Sequence, residues 1–128
     1  MNTLAAVLAI IDGLVLITVG VLESFYFRDR RLYRIFLGEP GDQDAVRMWS
    51  FNLGFYNMVW GLGIITGVLI ASFGDATVGH TLVIYTCIAQ AILGVVLYVS
   101  ERRLLTSALA QSVPPLIILA VLAVTRPL

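Results

Sequence analysis

Four apolar runs, at residues 3–22, 48–73, 81–99 and 105–125, take up most of this 128-residue chain and leave it few possible folds. The first run is about 20 residues long. At 1.5 Å per residue, a helix of that length matches the roughly 30 Å hydrocarbon core of a bilayer. Backbone groups in lipid must be paired within the protein, so runs of this kind are read as helices. Composition agrees: 59% of residues are hydrophobic and 12% charged, and the mean hydropathy is +0.95. Soluble domains carry about 25% charged residues, and a soluble chain this short could not bury so much apolar surface. The expectation is an all-α, polytopic membrane protein: a four-transmembrane-helix bundle with a short interfacial basic segment after the first helix. One transmembrane domain covers 1–128, with helices at about 3–27, 44–73, 80–100 and 105–126. No repeat, low-complexity tract or second domain is visible.

The connections carry the charge. A cleavable signal peptide wants basic residues ahead of its apolar run. Here the basic cluster follows the run, so the first helix is read as retained. All eight basic residues are arginine, five of them between Arg28 and Arg47. Arg30, Arg31 and Arg34 interleave with Leu32, Tyr33, Ile35 and Phe36, which suits a short helix lying in the headgroup zone. Topology-setting arginines beside an aromatic belt are the plainer reading. After the turn at 38–41, Asp42 is placed to cap the second helix, with Asp44 in its first turn. The first and third connections hold seven of the eight arginines, counting Arg102 and Arg103. Those connections are therefore expected in the cytoplasm and both termini outside, with Arg126 a minor exception. The absence of lysine suggests a bacterial source, and so a bacterial plasma (inner) membrane. Nothing resembles a nucleic-acid patch, and the lipid bilayer is the first partner expected.

Polar residues inside the apolar runs are the candidates for function, because each must be met by protein or serve a purpose. Asp12 falls near the bilayer centre, where it is a proton carrier or general acid, or a neutral acid hydrogen-bonded to Thr or Gln as helix glue. Glu23 lies eleven residues on, about 16 Å along the axis. It pairs with Arg28, or it joins Asn52 in a pocket. Asn52, Tyr56 and Trp60 share one face of the second helix, and Asn57 lies on a different side. Glu23, Asn52 and Tyr56 at one depth make a candidate polar pocket near the cytoplasmic leaflet; a structural network that locks the helices is the alternative. Gln90 and Gln111 are buried amides that need partners. Pro114 and Pro115 deprive the carbonyls of Ala110 and Gln111 of their helical donors, so a kink is expected beside Gln111.

Gly63 and Gly67 form a close-packing motif, with Gly54 and Gly61 adding to it, for use within one subunit or in a homodimer. His80 has no Cys, Asp or Glu at ligand spacing, and Cys87 is alone, so no metal and no cofactor is expected. Cys87 is read as a small hydrophobe. No phosphate loop or nucleophile elbow is present.

Three stretches together resemble the DUF1304 family of small four-helix bacterial membrane proteins: VLESFYF at 21–27, NLGFYNMVWGLGIITG at 52–67 and AQSVPPLIIL at 110–119. The family's Leu-Glu before aromatics falls on Leu22 and Glu23. Its Asn-x-Gly-x-Tyr-Asn falls on Asn52, Gly54, Tyr56 and Asn57, and its Gln-x-x-Pro on Gln111 and Pro114. The chain departs from the pattern in lacking the first-helix histidine upstream of the Glu, and in having Leu53 where Asn-Gln-Gly is usual. The resemblance implies the fold and the membrane setting.

Three functions are compatible with these residues. One is binding or transport of a lipophilic or small polar molecule at Glu23, Asn52, Tyr56, Asn57, Gln90 and Gln111. Another is a membrane-embedded isomerase, cyclase or hydrolase using Glu23 or Asp12 as acid or base. The third is an accessory or assembly subunit acting through helix packing.

Overall fold

The computed structural model describes residues 1–26 and 43–125, with side chains throughout these except at 43–47. The described chain is helical: α1 (Thr3–Phe25), α2 (Gln43–Phe73), α3 (Ala76–Ser100), a 3₁₀ turn (Arg102–Leu104) and α4 (Leu105–Thr125). Four helices, Thr3–Phe25, Met48–Phe73, Ala76–Ser100 and Arg102–Thr125, are long and apolar enough to cross a membrane. The basic segment after α1, Asp42, the side chains of Asp44 and Arg47, and Arg126 lie outside the described residues.

Local chemistry sets the helix ends. Asn2 caps α1, its Oδ1 accepting from the N–H groups of Leu4 at 2.8 Å and Ala5 at 3.4 Å. The polar stretch after α2 proves shorter than its composition suggests, because α3 begins at Ala76 and only Gly74 and Asp75 connect the two helices. Asp75 Oδ1 accepts from Val78 N–H at 3.1 Å, an N-cap that satisfies an otherwise unpaired donor. The Thr81 hydroxyl and His80 Nδ1 then bond back to the carbonyls of Thr77 and Ala76, at 2.8 and 2.6 Å. These polar side chains are thus absorbed by the helix itself. At the other end, α4 runs without a break through Pro114 and Pro115.

Small residues decide how the helices meet. Gly20 and Gly13 of α1 lie against Gly54 and Gly61 of α2, so the two helices run antiparallel with their backbones in contact. A methyl group built on Gly54 would collide with the Ser24 hydroxyl and the Gly20 carbonyl. Gly67 faces Gly79 and Val83 of α3, and Gly94 of α3 faces Ser112 of α4. Gly63 and Gly67 thus both look toward α3 of the same chain, Gly63 with Thr86 Cγ2 as its nearest neighbour at 3.8 Å. Helices adjacent in sequence pack most closely, and of the four seams around the bundle that between α1 and α4 is the loosest.

Ala5, Ala9, Ile64, Val68, Val83, Cys87, Ile118 and Leu122 form the core, in the half of the bundle that contains the start of α1 and the end of α4. Large apolar side chains such as Leu4, Leu14, Ile88, Val95 and Leu116 point outward. An apolar exterior around a small-residue interior is what lipid as solvent favours.

Candidate functional site

Two polar pairs cross between helices inside the apolar bundle. The stripe of α1 that faces inward runs Ala5, Ala9, Asp12, Leu16, Gly20, Glu23, so both acids are carried into the interior by helical spacing. They meet different partners. Asp12, 4% exposed, accepts a hydrogen bond through Oδ1 from Gln90 Nε2 of α3 at 3.1 Å, and Gln90 is 2% exposed. Glu23, also buried, accepts through Oε2 from Asn57 Nδ2 of α2 at 2.7 Å.

The Glu23 pair is reinforced. Ser24 Oγ donates to the Phe51 carbonyl at 2.9 Å, and Ser50 Oγ donates to the Glu23 carbonyl at 2.6 Å. Phe25 packs edge-on against Phe51 and Phe55, which are tilted to one another, with ring centroids 5.0 to 6.0 Å apart. These bonds knit α1 to α2 where Gly20 and Gly54 bring the backbones together.

The structure therefore divides the residues expected at one polar pocket. Asn57 joins Glu23, whereas Asn52 and Tyr56 face outward, Tyr56 being 73% exposed. Asn52 Nδ2 donates to the Met48 carbonyl of its own helix at 2.8 Å. Asn52 and Tyr56 line an open surface hollow of about 210 Å³ with Met48 and Trp49. Trp60 leaves that row, half-buried with its ring edge-on to Tyr85 of α3 at 6.2 Å. Gln111 is half-buried, and among the described residues no hydrogen bond joins it to Glu23, Asn52 or Asn57. Nothing in the local sequence marks Ser24 and Ser50 as partners across the two helices. The signal for Asn57 was present: Gly54, Asn57 and Gly61 follow one another at three and four residues, so the amide sits on the same stripe as the packing glycines.

The Asp12 pair differs in being incomplete. Asp12 Oδ2 and Gln90 Oε1 are buried and have no hydrogen-bond partner among the described residues. Beside Asp12 a crevice of about 170 Å³ opens along the loose seam between α1 and α4. Leu8, Ile11 and Val15 of α1 and Pro114, Ile117 and Ile118 of α4 form its walls, and Asp12 is its one polar lining residue. Among the described residues no three His, Cys, Asp or Glu side chains gather to hold a metal ion.

The model of the DUF1304 family, described as a protein of unknown function, matches residues 10–123. The chain belongs to the DUF1304 family. The DUF1304 match includes both acids of α1, both of their amide partners and the whole crevice except Leu8. Neither the curated proteins nor the solved structures give a match to this DUF1304 chain.

Proposed function

We propose that this membrane protein binds a small lipophilic molecule in the crevice between α1 and α4, with Asp12 as the polar anchor. The observation that carries this reading is an apolar cleft whose one polar lining residue is the buried acid Asp12. Ligand sites are typically apolar clefts with a few convergent polar groups. The seam holding the crevice is the least tightly packed in the bundle, so a molecule dissolved in the bilayer can approach sideways. The distribution of arginines supports placing both termini outside a bacterial plasma membrane.

A hydrophobic diazirine photoprobe tests this on the purified chain in lipid nanodiscs. Saturable labelling centred on Leu8, Ile11, Val15 and Ile117 is the expected result. Even, non-saturable labelling of outward residues such as Leu14, Val95 and Leu116 would remove the reading.

The Glu23 and Asn57 network supports a second role. It is paired within the protein, beside backbones in contact, and serves as a lock between α1 and α2.

A further inference from the structure

The outward faces of the four helices differ in how they treat polar groups. On α1, α3 and α4 the hydroxyls of Thr18, Thr81, Ser100 and Thr125 each bond back to the carbonyl one turn earlier, at 2.7 or 2.8 Å. Such groups are satisfied before lipid meets them. Exposed polar groups close to a helix end, such as Thr106 and Tyr98, reach the headgroup zone.

The outward face of α2 is different. Asn52, Tyr56 and Thr66 are exposed on it, each more than a turn inside the helix. Among the described residues, the hydroxyls of Tyr56 and Thr66 have no hydrogen-bond partner. Asn52 spends one N–H on the Met48 carbonyl, which leaves its second N–H and its Oδ1 free. Polar groups in a membrane span are expensive unless other protein groups meet them. The shape of the face also suits a helix. Trp49, Asn52, Tyr56, Val59, Gly63 and Thr66 follow one another at alternating steps of three and four, the spacing along which two helices pack. Met48, Trp49, Asn52 and Tyr56 surround an open hollow of about 210 Å³. Four residues around a hole are what receives a side chain from a facing helix. Farther along, a Cβ on Gly63 would meet nothing nearer than Thr86 Cγ2 at 3.8 Å, so another backbone has room to approach.

We propose that the chain forms a homodimer along this face of α2, with the two Asn52 side chains paired across a two-fold axis normal to the membrane. Under such an axis both copies sit the same way up in the bilayer. The α2 helices then run parallel, and each residue meets its equivalent at one depth. The free N–H of each Asn52 donates to Oδ1 of the other, so the amides satisfy one another without any further group. The hydroxyls of Tyr56 and Thr66, each both donor and acceptor, are self-complementary in the same way. A second copy is therefore the partner whose donors and acceptors match this face level by level. A lone Asn in a helix seam also fixes its register and favours two strands. The crevice lies between α1 and α4, away from this face, so dimerisation leaves it open to lipid and does not depend on the binding reading.

Cysteine cross-linking of the full chain in lipid vesicles tests the face. The native Cys87 is buried and supplies the blank. Val59→Cys and Thr66→Cys should give disulfide-linked dimers on mild oxidation at low protein density. Leu14→Cys on α1, Val95→Cys on α3 and Leu116→Cys on α4 should stay monomeric. Equal yields at those three positions, or none at 59 and 66, would overturn the inference.

The Asn52 pairing is tested by diluting labelled copies with lipid and following energy transfer between them. Asn52→Leu should weaken association about eightfold, the ratio that two interhelical hydrogen bonds of average strength supply. Asn52→Gln, which keeps both donor and acceptor, should retain it. Asn52 points away from its own bundle, so the subunit should fold in both variants. Unchanged or tighter association in Asn52→Leu would overturn the proposed dimer.

Discussion

Gln90 Nε2 and Asp12 Oδ1 meet at 3.1 Å in the middle of the bundle, 78 residues apart in the chain. The bond ties α1 to α3, which are not neighbours in sequence, and it uses only half of each side chain. Asp12 Oδ2 and Gln90 Oε1 remain acceptors facing no donor. An ionised Asp12 has no donor to offer Gln90 Oε1, and in that form the pair contributes less to stability than two buried polar side chains in full register would.

Replacing the carboxyl with an amide should therefore stabilise the fold. In Asp12→Asn the retained oxygen accepts from Gln90 Nε2 while the new NH₂ donates toward Gln90 Oε1. Interhelical hydrogen bonds in membrane proteins contribute about 0.6 kcal/mol on average and up to about 1.7, and a gain within that range is expected. Asp12→Leu should go the other way, because it strands the whole Gln90 amide, at a cost of about 1–3 kcal/mol. Unfolding in mixed micelles measures both. A destabilised Asp12→Asn would show that the second acceptor is already satisfied.

The close approach of α1 and α2 gives a sharper contrast among glycines. A Cβ on Gly54 would strike the Ser24 hydroxyl and the Gly20 carbonyl, and the latter is backbone that cannot step aside. A Cβ on Gly63 would meet nothing nearer than Thr86 Cγ2 at 3.8 Å. Gly54→Ala should thus cost about 1–3 kcal/mol by overpacking, whereas Gly63→Ala should be near neutral. The same unfolding assay ranks them, and equal effects would mean that the helices separate readily at Gly54.

How far the fold was legible follows from where the information lay. Helix number and length were written in the apolar runs, since lipid demands about 20 residues per crossing. The start of α3 was not, because Asp75, Thr77 and His80 resemble a loop in composition. Only the Asp75 cap and the back-bonding side chains show that the helix begins at Ala76. The site was legible in its residue types and less so in its pairings. Depth placed Glu23, Asn52 and Tyr56 at one level, but which flank of α2 meets α1 is set by Gly54 and Gly61. That flank carries Asn57, while Asn52 and Tyr56 turn outward. Asp12 and Gln90 were each visible as buried polar groups. Their meeting across the bundle depends on helix rotation, which no local pattern encodes.

That rotation yields a test among neighbouring polar residues. Asn57→Leu removes the donor to Glu23 Oε2 and leaves a buried carboxyl oxygen unmet, so a loss of about 1–3 kcal/mol is expected. Tyr56→Phe removes a hydroxyl from an exposed ring and should change stability by no more than about 0.5 kcal/mol. The order would reverse if Tyr56 rather than Asn57 completed the Glu23 site.

The turn between α3 and α4 should respond to acid. Glu101 Oε1 accepts from Arg103 Nε at 2.9 Å, and Oε2 accepts from Arg103 Nη2 at 2.9 Å. A longer bond from the Arg103 backbone N–H, at 3.2 Å, adds to them. First the guanidinium and then this N–H hold the Glu101 carboxyl down at about 2, against an ordinary value of 4.5. A depressed carboxyl stabilises the folded turn fully above its ordinary value, and the contribution is lost as pH falls through about 2. Amide exchange at Arg103, corrected for its intrinsic pH dependence, should therefore stay protected down to about pH 4.5, weaken below it and flatten only near pH 2. The group is exposed, so salt should shrink the effect. Glu101→Gln should abolish the pH response while keeping a side-chain oxygen for the Arg103 N–H. A pH response that survives in Glu101→Gln would assign the acid sensitivity to another group.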